Sequence, residues 1–286
     1  MDALRRRMLR AASCALAAAL VSCCLPLAAF ARTDGGDAVL GCSAADLGIS
    51  EERLPGIDAS HAALMDEEGT LWYGRAAGER AQIASLTKIM TYIVVSENID
   101  DLMNTRTVVP ASVAEELEGT GSSLAEIQTG EEFSIYELLN LMMVPSGNDA
   151  ALTLAKYIDG LGIAADDPAY DTDGDGRMSC VELMNRKAAE LGCTNTHFVN
   201  PHGLYDENHY TTAREMATIT EYALTMPYFT DVTSQTSYTQ PPTNMTSEER
   251  TVTTTNRMLL SYDDEYYTYA TGVKTGSLNE SGYCIS

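Results

Sequence analysis

Ala84-Ser85-Leu86-Thr87-Lys88-Ile89-Met90-Thr91-Tyr92-Ile93-Val94-Val95 is the stretch from which the rest of the chain can be read. Leu86, Ile89, Met90, Ile93 and Val94 recur at helical spacing, which predicts a helix opening at Ser85. Ser85 and Lys88 stand three residues apart at its start, so their side chains lie over one turn and point the same way. No charge follows Lys88 until Glu97, as expected of a buried helix rather than a solvated one. A helix start also offers unpaired N–H groups and partial positive charge, favourable where an acyl oxyanion develops. To act as a base Lys88 must shed its proton, against an unperturbed pKa of ~10.4. Burial and a second cation, for which Lys274 is the candidate, both penalise the ammonium form. Taken alone, the pair reads more readily as a helix cap followed by a surface lysine.

Working outward, helical periods recur around 111–118, 134–144, 147–158, 180–191 and 212–225. Upstream, His61–Met65, a turn at Asp66–Gly69 and Thr70–Tyr73 predict a β-hairpin. Downstream, Thr236–Gln240, Thr251–Asn256 and Tyr266–Lys274 have the β-branched and aromatic composition of strands. A turn at Leu278–Gly282 then leads into a further strand. Strands at both chain ends thus bracket a helical lobe. The expectation is an α+β fold with one antiparallel sheet drawn from both ends, helices beside it, and a cleft between the two. Residues 32–56 read as a mobile lead-in. A strand that stops at Ser286 leaves backbone groups orphaned, so a sequence incomplete at its C-terminus is expected.

Arg5, Arg6, Arg7 and Arg10 precede an apolar run from Ala11 to Ala29, and Ala29-Phe30-Ala31 offers an A-x-A cleavage site. Residues 1–31 therefore read as a secretory signal peptide. Pro26 and the cleavage site speak against an uncleaved membrane anchor. The apolar run from Leu25 to Phe30 speaks against lipidation at Cys23. Removing residues 1–31 moves the net charge from −23 to −26, leaving 14 basic against 40 acidic side chains. Such a surface repels nucleic acid and anionic lipid. The remaining cysteines, Cys42, Cys180, Cys193 and Cys284, show neither a disulfide framework nor zinc-ligand spacing.

Two further motifs complete the chemistry. Ser-x-Asn occurs three times. Ser96-Glu97-Asn98 lies three turns beyond Ser85, and Ser277-Leu278-Asn279 directly follows Lys274 in a turn. Ser146-Gly147-Asn148 instead sits after Val144-Pro145, at a break between two helical patterns, where a hydroxyl and an amide face a cleft. Lys274-Thr275-Gly276 reads as the end of a strand whose edge pairs with an extended peptide while Lys274 and Thr275 meet its terminal carboxylate. Gly276 leaves room for that approach. Together the three motifs point to acyl transfer on peptides that end in a free carboxylate.

With these residues in view, the chain resembles the exported serine-type D-alanyl-D-alanine carboxypeptidases, the low-molecular-weight penicillin-binding proteins. The likeness covers roughly residues 57–286, including Ala84–Thr91, Pro145–Ala151, Asn195–Leu204 and Gly272–Gly276. Gly147 in the middle motif resembles the carboxypeptidase branch, and no acidic residue is placed as the deacylating base of a class A β-lactamase. The resemblance implies a penicillin-binding, β-lactamase-like transpeptidase fold with 57–286 as the serine DD-peptidase domain. It implies Ser85 as nucleophile, Lys88 as proton acceptor and Ser146 as proton relay to the departing D-alanine. Asn148 would bind the substrate backbone, Lys274 and Thr275 the terminal carboxylate, and the N–H groups of Ser85 and Ser277 the oxyanion. His202 takes a structural rather than a catalytic role. The implied partners are peptidoglycan stem peptides and β-lactams, outside the cytoplasm, with membrane attachment left to a region after residue 286. A β-lactamase and a β-lactam-sensing or wall-binding domain that acylates without release are the alternatives.

One segment departs from that family. Asp171-Thr172-Asp173-Gly174-Asp175-Gly176-Arg177-Met178-Ser179-Cys180-Val181-Glu182 fits the twelve-position EF-hand loop, inside an insertion at 166–182. Asp171, Asp173, Asp175, Ser179 and Glu182 would coordinate through side chains and Arg177 through its carbonyl. The alternative is an acidic, glycine-rich surface loop. No catalytic cofactor is expected; a structural Ca²⁺ is.

Overall fold

The predicted Ser85 helix forms the centre of the molecule. In a computed structural model that describes residues 37–50, 54 and 56–286, a short 3-10 turn at Ala84–Leu86 runs into α1 (Thr87–Asn98), buried from Thr87 through Val95. A helix apolar on every side belongs in a core. The signal-peptide reading falls on residues outside those described.

Around α1 pack α3 (Ile135–Met143), α4 (Asn148–Gly160), α5 (Cys180–Glu190) and α6 (Ala213–Ala223), while α2 (Ala111–Leu117) lies against α4. α3 and α5 start at reciprocal capping boxes, Ser134 with Glu137 and Ser179 with Glu182. Each box satisfies two N–H groups that a helix start leaves unpaired. All five predicted helical periods appear as helices. A short α7 (Phe229–Thr233) was not anticipated.

The expected N-terminal hairpin is β3 (Ala62–Met65) and β4 (Leu71–Arg75), closed by Asp66, whose carboxylate accepts the N–H of Thr70 at 2.8 Å. The lead-in is not loose throughout. β1 (Asp37–Val39) and β2 (Cys42–Ser43) extend this sheet in the order β2-β1-β4-β3. Asp37 seats β1 by accepting Arg75 Nε at 2.8 Å and the Tyr73 hydroxyl at 2.9 Å. This short strand is held by two side chains of its neighbour, a signal that composition does not carry.

The far end also differs from expectation. Antiparallel pairing holds, but the described strands of the two chain ends share no ladder. β11 (Thr275–Leu278) and β12 (Gly282–Ile285) form their own hairpin, which packs on the Ala84–Leu86 turn. Lys274-Thr275-Gly276 opens a strand rather than ending one. Tyr266–Lys274, read as a strand, is irregular. Its tyrosines explain the misreading: Tyr266, Tyr267 and Tyr269, with Tyr262 just before, are exposed, and no neighbouring strand covers them. Instead, Asn256 donates to the Gly272 carbonyl at 3.0 Å and Met258 accepts from the Tyr267 N–H. β9 (Ser237–Gln240) and β10 (Arg250–Thr253), both expected as strands, pair with each other in a sheet of their own. Two-residue β5 (Arg80–Ala81) and β8 (Thr211–Thr212) pair with each other, as do β6 (Arg106–Val108) and β7 (Glu132–Ser134).

Candidate active site

Ser85 lies on a backbone under constraint. Ala84 adopts φ +47°, a region non-glycine residues rarely occupy without enforcement. The enforcement comes from distant parts of the chain. Thr87 Oγ1 donates to the Ala84 carbonyl at 2.8 Å and sits 2.7 Å from His209 Nε2. His209 Nδ1 accepts the Val199 N–H at 3.2 Å, so the ring proton resides on Nε2 and is donated to Thr87. Burial lowers the His209 pKa to about 4, which keeps this tautomer neutral. Gly203, at φ +90°, closes the other side, and a Cβ there would fall 1.9 Å from the Ala84 carbonyl oxygen.

Lys88 is fully buried and its Nζ has three partners: Ser85 Oγ at 2.8 Å, Asn148 Oδ1 at 2.6 Å and the His202 carbonyl at 2.9 Å. None is a carboxylate. Burial first, then the neighbouring Lys274, push its pKa well below the ordinary lysine value, while Asp149 opposes them. As a neutral amine it keeps two N–H bonds, to Asn148 and His202, and turns its lone pair to the Ser85 hydroxyl. That is the geometry of a base waiting on its nucleophile.

Lys274 is 1% exposed and donates to the Thr275 carbonyl at 2.7 Å. Burial brings its pKa down to about 7. Thr275 shares a 2.6 Å hydroxyl contact with Thr255. Gly276 has a different reason from the one its position suggested. A Cβ there would lie 2.9 Å from the Ser85 nitrogen and 3.0 Å from the Ile83 carbonyl oxygen, so the room is taken by the nucleophile's own backbone. Ser277 follows in β11, paired with Tyr283.

Ser146 sits at φ +66° in the break between α3 and α4, and Gly147, not Ser146, occupies the helix cap position. Ser146 is buried, yet Lys88 bonds Asn148 rather than Ser146. His202 meets Lys88 through its carbonyl, while its ring nitrogen Nδ1 accepts the Leu204 N–H at 3.3 Å. Burial, with Lys88 nearby, lowers its ring pKa to about 3. The structure thus gathers Ser85, Lys88, Asn148, Lys274 and Gly276. His209 and Thr87 support Ser85 from below; no motif signals His209, and Thr87 lies within the Ser-x-x-Lys motif as its unspecified third residue.

In the acidic insertion, carboxylate oxygens of Asp171, Asp173 and Asp175 lie within 4.8 Å of one another. Glu182 is not part of that cluster. Glu182 accepts Thr172 N and Oγ1 and Ser179 N and Oγ, an arrangement that holds its pKa down at about 2.

This frame is the DD-peptidase fold. The crystal structure of the Streptomyces K15 DD-transpeptidase matches it with a TM-score of 0.68 at 31% identity, over 81% of this chain and 84% of that one. A D-alanyl-D-alanine carboxypeptidase from Mycobacterium tuberculosis H37Rv matches with a TM-score of 0.65 at 25% identity, over 80% and 77%. The family model for D-alanyl-D-alanine carboxypeptidases, peptidase family S11, matches residues 49–286, and the chain belongs to that family. Among curated relatives, the D-alanyl-D-alanine carboxypeptidase DacF of Bacillus subtilis is 30% identical over 230 residues, which cover 80% of this chain and 53% of the relative. The chain thus spans about half the length of that protein. The D-alanyl-D-alanine carboxypeptidase of Streptomyces strain K15 is 32% identical over 78% of this chain and 73% of its own.

Proposed function

We propose that this protein is an exported serine DD-carboxypeptidase, which removes the terminal D-alanine from peptidoglycan stem peptides and is acylated by β-lactams on Ser85. The observation that carries the reading is the 2.8 Å contact between Ser85 Oγ and a buried Lys88 that bonds no carboxylate. In the proposed cycle Ser85 Oγ attacks the carbonyl carbon of the penultimate D-alanine and its proton passes to Lys88. The oxyanion is held by the N–H groups of Ser85 and Ser277. The C–N bond then breaks, and the departing amine takes a proton relayed by Ser146 from Lys88. Water hydrolyses the ester. Asn148 orients the peptide backbone, and protonated Lys274 with Thr275 holds the terminal carboxylate.

Incubation with a diacylated peptide ending in D-Ala-D-Ala tests this, with free D-alanine as the readout. Fluorescent penicillin that labels the protein without any D-alanine release would instead mark a sensing domain. Rapid loss of the label by hydrolysis would mark a β-lactamase.

The two lysines set the pH dependence. Lys88 must be neutral to act and Lys274 charged to bind, so kcat/KM is expected to be bell-shaped. Its alkaline limb falls near pH 7, where free Lys274 loses its proton. A neutral amide substrate lacking the terminal carboxylate loses that limb; retention of it would remove Lys274 from this role.

We also propose that the insertion holds a Ca²⁺ through Asp171, Asp173 and Asp175, with Arg177, Ser179 and Glu182 completing the set. The clustered aspartates support this reading. As a lone loop its dissociation constant is expected at ~10⁻⁴–10⁻³ M. Titration calorimetry without heat at millimolar calcium would reject it.

A further inference from the structure

Behind the Ser146–Asn148 turn lies a buried carboxylate to which the cycle above gives no part. Asp149 is 4% exposed and makes no ion pair among the described residues. Its oxygens are taken by backbone instead: Oδ1 accepts the N–H of Ala125 at 2.9 Å and of Ala150 at 2.9 Å, and Oδ2 accepts that of Ile127 at 3.2 Å. Two of these donors belong to the 118–129 loop, so one side chain ties that loop to the first turn of α4. The loop in turn holds the motif, because Asn148 N donates to the Ser123 carbonyl at 2.8 Å. The packing is tight at Gly147. A Cβ there would meet the Leu141 carbonyl oxygen at 2.7 Å, Ala125 Cβ at 2.8 Å and Asp149 Oδ1 at 2.8 Å.

The tie has something to resist. The loop also borders a cavity of about 360 Å³, lined by Val113, Leu117, Leu124, Ile127 and Asp149 among others. A loop that borders open space moves unless it is held. Any shift carries Ser146 and Asn148 with it, and Asn148 is the 2.6 Å partner of Lys88.

We propose that Asp149 is a positioning residue for this site: its carboxylate clamps the 118–129 loop onto α4, setting Asn148 and Ser146 against Lys88, and its charge lies behind the lysine. This rests on the reading of Ser85 and Lys88 given above. Lys88 faces Ser85 from its own turn, Asn148 and Asp149 from α4, Lys274 ahead of β11 and His202 from the 200–204 turn. Asp149 is the one acidic group in that set. Removing its charge leaves Lys88 easier to deprotonate, so the acid limb of acylation moves down in pH. A scaffold role without charge would leave the limb in place.

The test is the rate of Ser85 acylation by fluorescent penicillin against pH, in wild type, Asp149→Asn and Asp149→Glu, with thermal melting to verify folding. Asp149→Asn is expected to lower the plateau by about 10- to 100-fold and to shift the acid limb down by about one pH unit. Asp149→Glu keeps the charge but displaces the oxygens, so its plateau falls while its limb stays. If Asp149→Asn does not fold, Asp149→Glu alone decides, and a wild-type plateau in it overturns the proposal. A wild-type rate and profile in Asp149→Asn overturns it equally, as does a lowered plateau with an unmoved limb. Absence of labelling in the wild-type protein would count against the Ser85 reading instead.

Discussion

Lys88→Met is expected to leave a folded protein whose acylation by penicillin is slower by about 10³-fold. Methionine matches the lysine stem in volume, and none of the three hydrogen-bond partners of Lys88 is a carboxylate that would be left facing an apolar side chain. Fold stability is therefore expected to change little: exchanging a desolvated amine for an apolar side chain offsets the unmet acceptors at Asn148 and His202. What disappears is the lone pair facing Ser85 Oγ. Loss of labelling with an unchanged melting temperature supports the assignment. Labelling at the wild-type rate would remove Lys88 from the chemistry. Ser85→Ala, run alongside, abolishes labelling altogether if the ester forms at that oxygen.

Gly203→Ala is expected to act through the fold. The added methyl would have to occupy the space of the Ala84 carbonyl, 1.9 Å away, on a backbone at φ +90°. Neither neighbour yields easily, since Ala84 is itself held by Thr87 and His209. Strain and overpacking together cost about 3 kcal/mol or more, which corresponds to roughly 10 °C in melting temperature for a chain of this size. The turn carrying His202 moves with Gly203, so Lys88 also loses its carbonyl partner. A melting temperature within about 2 °C of wild type, with normal acylation, would show that the turn is not seated as described.

The helices were legible because their apolar periods run for two or more turns. The short ladders were not. β1, β2, β5 and β8 are two or three residues long, too short to express an alternation, and they exist because a neighbour holds them. Tyr266–Lys274 failed for the opposite reason, having strand composition without a partner strand. In the site, Ser85, Lys88 and Lys274 were legible as chemistry, since their types and spacing state a function. His209 was not. It lies in an ordinary polar stretch, and its role appears only when the fold brings it to Thr87, 122 positions away. The EF-hand pattern is complete in letters; the fold clusters its three aspartates, and Glu182 also caps a helix.

The partners of Lys88 also bear on how the site comes into being. Besides Ser85, three positions away, they lie 60 and 114 positions along the chain. Loops of that length close late, after local helices have formed. Until they close, Lys88 sits in water as an ordinary ammonium and Ser85 as an unreactive alcohol. If the proposed function holds, reactivity toward penicillin is acquired at the end of folding, and the time course of labelling during refolding becomes a direct clock for the last long-range contacts to assemble.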